Sequence, residues 1–120
     1  MKPEDLKIRF KQFSLRIIKM VDAMPNTISG NAIARQIIRS GTSPAANYRA
    51  ACIAKSDKDF INKLKIVEEE LDETIHWIEI IDAANLLPTN KLSDLQNEAN
   101  ELYKIIRSSI ITMRRKSDNL

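Results

Sequence analysis

The chain has 120 residues, of which 43% are apolar and 29% charged. This composition is typical of a single folded domain with a core, here residues 1–120, and it excludes a disordered chain. One cysteine excludes an internal disulfide, and one histidine excludes metal sites that need histidine pairs or cysteine clusters. The net charge is only +3, and two glycines and four prolines are too few for a many-turned β fold.

The first predicted helix covers residues 3–24. Pro3 fits its first turn, and the acidic Glu4 and Asp5 favour the positive end of the helix dipole. One buried face is predicted from apolar residues spaced three or four apart: Leu6, Phe10, Phe13, Ile17, Val21 and Met24. A second stripe with this spacing is basic and is expected to face solvent or a partner; it contains Arg9, Gln12, Arg16 and Lys19.

The second predicted helix covers residues 28–55. The segment 40–44, Ser-Gly-Thr-Ser-Pro, interrupts it and predicts a kink or a restart, with Thr42 or Ser43 capping the second half. The alanine-rich stretch that follows lets another helix approach closely. Asn47 lies within this stretch, and a hydrogen bond that fixes helix register is a better explanation for it than catalysis.

The third predicted helix covers residues 57–87. Ser56 begins it as the first residue of a capping box, and Pro88 ends it. Its apolar seam consists of Phe60, Leu64, Val67, Leu71, Ile75, Ile78 and Ile81. Trp77 and Ile80 lie beside the seam, where they either widen the core or form part of a subunit contact.

The fourth predicted helix covers residues 91–116 and carries a heptad seam of Leu92, Leu95, Ala99, Leu102, Ile106, Ser109 and Met113. Its last turns are basic, which suits the negative end of the dipole. Short connections make successive helices antiparallel. We therefore predict an all-α fold, an antiparallel up-down-up-down four-helix bundle whose second helix is kinked near Gly41–Pro44.

The charges are segregated along the chain. Residues 1–55 carry +7, residues 56–101 carry −8 and residues 102–120 carry +4. Three interpretations are open: pairing between helices of one molecule, complementarity between subunits, and a basic surface for RNA or DNA. For the last, the candidate residues are Arg9, Arg16, Lys19, Lys104, Arg107, Arg114 and Arg115. Arg39 and Arg49 lie on another stripe, and we expect them to pair with carboxylates of the third helix.

The sequence offers no evident catalytic or metal constellation. Glu73 and His76 have the spacing of half a di-iron site, but the second histidine is missing, and Cys52 fits a small buried residue. We therefore predict no enzyme, no cofactor and no metal site. The charged N-terminus does not form the apolar region of a signal peptide, and no run approaches the roughly 20 apolar residues of a membrane helix. A cytoplasmic protein is expected.

The stretch of residues 39–81, RSGTSPAANYRAACIAKSDKDFINKLKIVEEELDETIHWIEII, resembles the four-helix-bundle family named for proteins encoded in 23S ribosomal-RNA intervening sequences. The matching positions are Gln36, Arg39, Gly41-Thr42-Ser43, Ala46-Asn47-Tyr48-Arg49, Ser56, Asp59-Phe60, Lys63-Leu64, Ile66, Glu70, Glu73 and Trp77. They cover the second and third predicted helices in order and spacing.

The resemblance implies an antiparallel bundle that assembles into a ring, typically a homopentamer. We accordingly predict a non-enzymatic homo-oligomeric scaffold, whose interface uses apolar residues lying off the core stripes: Ile8, Leu15, Ile18, Trp77 and Ile80. The alternative is a nucleic-acid-binding accessory protein. Relatives similar to the accessory variability determinant of diversity-generating retroelements bind a reverse transcriptase and nucleic acid, so a reverse transcriptase is a further implied partner.

Overall fold

The computed structural model describes residues 1–118, which contain four α-helices, one short 3₁₀ helix and no strand. The helices are α1 (Pro3–Asp22), α2 (Ile28–Cys52), α3 (Asp57–Ala83) and α4 (Ser93–Asp118), and the 3₁₀ turn is Thr89–Lys91. The prediction of an all-α four-helix bundle is confirmed. Residues 119 and 120, which the predicted domain includes, lie outside the described residues.

The helices are arranged as the corners of a square. Helix α1 packs against α2 and α4, and α3 packs against the same two helices, so α1 and α3 lie on a diagonal. The bundle is a rod with extents of 53 × 23 × 20 Å. Within the described range, no helix is both long enough and apolar enough to cross a bilayer.

Polar side chains begin the two central helices. Thr27 Oγ1 accepts a hydrogen bond from the Gly30 backbone N–H at 3.0 Å at the start of α2. Ser56 Oγ accepts one from the Asp59 N–H at 3.1 Å, which is one half of the predicted capping box. The Asp59 carboxylate in turn accepts from the backbone N–H of Lys55, one residue before Ser56, at 3.1 Å. Each bond satisfies a backbone donor that has no partner inside its helix.

Three helices end before their predicted limits, and α1 does so at Asp22 instead of residue 24. Helix α2 ends at Cys52 instead of residue 55, and α3 ends at Ala83 instead of residue 87. After α3 the chain turns at Asn85, whose φ of 56° is left-handed, and the Leu86 N–H donates to the Ile81 carbonyl at 3.0 Å. Asparagine tolerates this conformation better than most residues, so the helix ends here although the apolar residues Leu86 and Leu87 follow.

The predicted restart within α2 does not occur, because the helix is continuous through the buried Pro44. Thr42 and Ser43 do not cap a new helix. Thr42 Oγ1 donates to the Ile38 carbonyl at 2.5 Å, and the Ser43 carbonyl accepts from Asn47 Nδ2 at 3.0 Å. Asn47 is therefore bonded within its own helix and does not join two helices. The kink remains a prediction.

The core draws on all four helices. Its largest fully buried side chains are Phe10, Phe13, Ile17, Ile37, Leu64, Leu71, Ile78, Ile81, Leu92, Leu102, Ile106 and Ile110. Thr74 and Ile110 occupy buried positions, whereas Ile75 and Ser109 of the predicted seams are only half-buried. The predicted faces are thus right, with the seam displaced by one residue at these two places and in α1, where Met20 is buried and Val21 half-buried. The predicted seam ends are also only half-buried: Met24, Phe60 and Met113.

Candidate functional site

An open groove of about 630 Å³ runs between α1 and α2 on the outside of the bundle; we call it the α1–α2 groove. Its apolar lining comes from Ile8 and Leu15 of α1 and from Ala45 and Ala46 of α2. Ile8 and Leu15 are 55% and 57% exposed, because they lie off the stripe that α1 buries in the core. The alanines opposite them are too short to cover them.

The rim of the α1–α2 groove is basic. Lys7 is paired with Glu4 at 2.9 Å, but Lys11 and Arg49 have no ion pair within the part of the chain that the structure describes. The expected pairing of Arg49 with the third helix is wrong, because the residue lies on the α1 side of α2. Ser14 Oγ lies buried in the wall of the groove and has no hydrogen-bond partner among residues 1–118.

The exposed apolar surface continues beyond the groove. Ile18 of α1 is 39% exposed, so all three interface candidates predicted on this helix reach the surface. Ile38 of α2 is 37% exposed and was missed by the sequence reasoning. Its position four residues before Thr42, which lines the groove, is the spacing that could have identified it.

The other two interface candidates lie on α3, on the side that faces α2. Trp77 is half-buried, and its Nε1 donates to Glu73 Oε2 at 3.1 Å. Arg39 of α2 donates to Glu70 at 2.9 Å and also to Glu73, which confirms its predicted pairing with the third helix. Ile80 is half-buried, and Ile66, which no interface prediction included, is 42% exposed.

These α3 residues form one line, which we call the α3 stripe: Ile66, Glu70, Glu73, Trp77 and Ile80. Their spacing of four and three places them on one side of the helix. Partial burial alone would raise the pKa of Glu73, but the hydrogen bonds from Arg39 and Trp77 outweigh it and hold that pKa below its usual range. The stripe is thus apolar at both ends and carries two carboxyl groups in the middle.

Arg9, the first nucleic-acid candidate, is not free on the surface. Its guanidinium donates to Glu98 of α4 at 2.5 and 3.2 Å and lies 3.1 Å from Glu101. The hydrogen bond to Glu98 is the main reason that the pKa of Arg9 is raised. The expectation that this residue faces solvent or a partner is wrong, because the side chain bridges α1 and α4.

The remaining six candidates do not form one surface. Arg107 pairs with Glu68 of α3 at 3.0 Å. Arg16 and Lys19 line a second groove, of about 510 Å³, where α4 begins beside α1; Lys91 and Asp94 also line it. Lys104, Arg114 and Arg115 are exposed further along α4. Twenty residues of helix, about 30 Å, separate Asp94 in the second groove from Arg114.

Nothing in the described residues groups three or more metal-ligating side chains into a possible ion site. The carboxylate of Glu73 is engaged by Arg39 and Trp77, so it does not form half a metal site with His76. Cys52 is half-buried and not enclosed in the core. It lies near Tyr48, whose pKa is raised by burial and then by Cys52 itself. These side chains support packing and ion pairing more directly than a reaction.

Known proteins resemble this chain clearly in fold, and they do not assign it a function. Residues 5–108 match the family model described as the 23S rRNA-intervening sequence protein. The chain belongs to this family. A crystal structure of a protein of unknown function from the S23 ribosomal protein family, from Bacteroides thetaiotaomicron, is 34% identical and superposes with a TM-score of 0.84. The likeness covers 92% of this chain and 98% of that one. No curated protein sequence matches the chain.

Proposed function

We propose that this member of the 23S rRNA-intervening sequence family is a non-enzymatic scaffold that assembles with copies of itself into a pentameric ring. The observation that carries the proposal is the apolar surface along α1 and α2. Ile8, Leu15 and Ile18 are exposed on one side of α1, and the facing part of α2 is lined by alanines and Ile38. Contiguous apolar surface of this kind is typical of protein–protein interfaces.

The ion pairs of the bundle support a structural role over a catalytic one. Arg39 and Arg107 each engage carboxylates of α3, and Arg9 engages carboxylates of α4. Carboxylates held in this way join neighbouring helices of the bundle. The half-buried Trp77 and the exposed Ile66 add apolar area on α3, as a second interface surface would require.

The mass of the native protein tests this proposal directly. Light scattering at micromolar concentration should give about five times the chain mass of 13.7 kDa. Leu15→Glu should dissociate the assembly and leave the helical content unchanged, because Leu15 is 57% exposed and contributes little to the core. Ser108→Glu adds the same charge at an exposed position of α4 and should leave the mass unchanged. A monomeric wild-type protein would refute the scaffold.

A nucleic-acid-binding accessory protein is the second candidate function. The supporting observation is the second groove, where Arg16, Lys19 and Lys91 have no ion pair among the described residues. Arg9 and Arg107 contribute less, since both are neutralised within the bundle. A ring would repeat the groove in every subunit, and repetition raises avidity. A reverse transcriptase as partner, and the link to the accessory variability determinant, remain predictions.

Gel-shift titration at two salt concentrations tests the second candidate. Contacts to phosphate should give binding at low salt that weakens steeply at high salt. Arg16→Gln combined with Lys19→Gln should abolish the shift. Lys55→Gln with Lys58→Gln removes equal charge from an exposed segment outside the second groove and should preserve it. No shift of the wild-type protein at low salt would rule this function out.

A further inference from the structure

We infer that the α1–α2 groove of one subunit receives the α3 stripe of a second copy, with both copies pointing the same way along the rod. The inference rests on the proposed self-assembly and adds to it which two surfaces meet and in which register. It follows from the heights of the two surfaces along the bundle, from their charges, and from their positions around it.

Contacts inside the bundle fix the relative heights of the helices. A Cβ on Gly41 of α2 would lie 2.8 Å from the Ile17 side chain of α1. The neighbouring Ser40 of α2 places its Oγ 3.0 Å from Thr74 Oγ1 of α3. Ile17 and Thr74 therefore lie at about the same height. Since α1 and α3 run in the same direction in an up-down-up-down bundle, equal numbers of residues from these two points stay level.

When one copy is displaced perpendicular to the rod onto another, this register places apolar residues of α1 level with apolar residues of α3. Nine residues before Ile17 is Ile8, and eight before Thr74 is Ile66, so these two exposed isoleucines are level to within one residue. One residue beyond Ile17 is Ile18, and Trp77 of α3 is within two residues of that height. Ile66 at one end of the α3 stripe and Trp77 near the other end therefore lie level with exposed isoleucines of α1.

The charges between these ends are complementary. Lys11 is six residues before Ile17, and Glu69 is five before Thr74, so the two exposed side chains are level to within one residue. Neither has an ion pair among the described residues, and Arg49 on the same rim of the groove adds a second free cation. A two-fold contact of groove against groove would bring the basic rim of one copy, with Lys11 and Arg49, against the basic rim of the other. Charge therefore favours two unlike surfaces over one self-complementary surface.

The positions of the two surfaces around the rod favour closure. The α1–α2 groove lies on the side of the bundle between those helices, and the α3 stripe lies where α3 faces α2, as the contacts of Arg39 with Glu70 and Glu73 establish. The two surfaces are thus on sides that share α2, and not on opposite sides. A contact between sides that share α2 turns each added copy in the same sense about an axis along the rod, which is the arrangement that a closed ring requires.

Thiol cross-linking at the level pair tests the contact. In a Cys52→Ala background, Lys11→Cys and Glu69→Cys place one exposed thiol on each surface, far from the core. A short bis-maleimide should convert the double variant into a ladder of covalent multiples of the chain. Each single variant alone should stay monomeric on a denaturing gel. A mixture of the two single variants, allowed to exchange subunits, should give dimers.

The outcomes separate this contact from self-assembly itself. Cross-linking of Lys11→Cys to itself would overturn the inference in favour of a two-fold contact. The absence of cross-links in a double variant whose native mass is still that of the wild-type oligomer would overturn the inference alone. A monomeric native mass for the Cys52→Ala background and for the wild type would overturn self-assembly and the inference together.

Discussion

The hydroxyl groups of Ser40 and Thr74 meet inside the bundle, and both residues are 0% exposed. Thr74 Oγ1 lies 3.0 Å from Ser40 Oγ and 2.8 Å from the Glu70 carbonyl oxygen. A buried polar atom without a partner is costly, whereas a pair that satisfies itself is nearly neutral. These two residues therefore fix the register of α2 on α3 more than they add to stability.

Removing one hydroxyl of this pair should lower stability by more than half of the loss caused by removing both. Thr74→Val should lower the free energy of unfolding by about 1–3 kcal/mol, because Ser40 keeps a buried hydroxyl with only a 3.5 Å contact to the Ile37 carbonyl. Ser40→Ala introduced into the Thr74→Val protein should lower the free energy of unfolding by less than Ser40→Ala does in the wild type. Chemical denaturation measures all three proteins, and the exposed Thr112→Val serves as control. Strictly additive losses would contradict the pairing.

Glu73 should make the bundle sensitive to acid. Burial opposes its ionised form, but the hydrogen bonds from Arg39 and Trp77 win and lower its pKa in the folded state. A carboxyl whose folded pKa lies below its unfolded value stabilises the protein above the unfolded pKa, about 4.3 for Glu, and the contribution disappears as pH falls through the folded pKa. Fluorescence of Trp77, the one tryptophan of the chain, reports the local change. Stability of Glu73→Gln should fall less over this window, and equal pH slopes would contradict the assignment.

Helices α1 and α2 approach each other closely at Gly41. The residue is buried, and a Cβ there would meet the branched carbons of Ile17 at 2.8 Å. Because a β-branched side chain in a helix has essentially one rotamer, Ile17 cannot swing away. Gly41, which the sequence placed in a predicted break of α2, thus lies within a continuous helix and leaves the space that the Ile17 side chain occupies.

Gly41→Ala should destabilise the bundle in spite of its better helix propensity. Overpacking costs about 1–3 kcal/mol, against a gain of about 1 kcal/mol from propensity. Ile17→Ala alone should cost about 2–5 kcal/mol by opening a cavity, and the double variant should lose less than the two single losses together. Thermal and urea unfolding of the four proteins complete the cycle. A more stable Gly41→Ala protein would mean that the helices can move apart.

Spacing in the sequence predicts the helices and their buried faces well, and it predicts poorly which residues the long side chains contact. A stripe of apolar residues identifies the buried face of α1, since the face must be covered whatever lies against it. Which neighbour a long side chain reaches depends on packing that spacing does not contain, so Arg9 was expected on the surface and Arg49 beside α3. Burial of Pro44 likewise overrides its local tendency to break α2.

The candidate interface shows the same limit at the level of the molecule. Residues off the core stripe, such as Ile8 and Leu15, could be identified from α1 alone. Ile38 and Ile66 were missed. Each lies four residues before a surface residue of its own helix, Thr42 or Glu70, but only the structure shows that these positions are exposed. Part of the charge segregation along the chain resolves into pairs between adjacent helices, formed by Arg9, Arg39 and Arg107. Lys11 and Glu69 lie on two different faces of the rod.

Assembly through these faces should make thermal stability depend on protein concentration. Dissociation accompanies unfolding, so mass action should raise the unfolding midpoint by about 4 °C for each tenfold increase in concentration. The Leu15→Glu protein, which places a carboxylate in the α1–α2 groove, should unfold at a midpoint that does not change with concentration. Calorimetry over two decades of concentration makes the comparison, with Ser108→Glu expected to follow the wild type. A wild-type midpoint that stays constant would show that the apolar surface of α1 and α2 is not covered by a second copy.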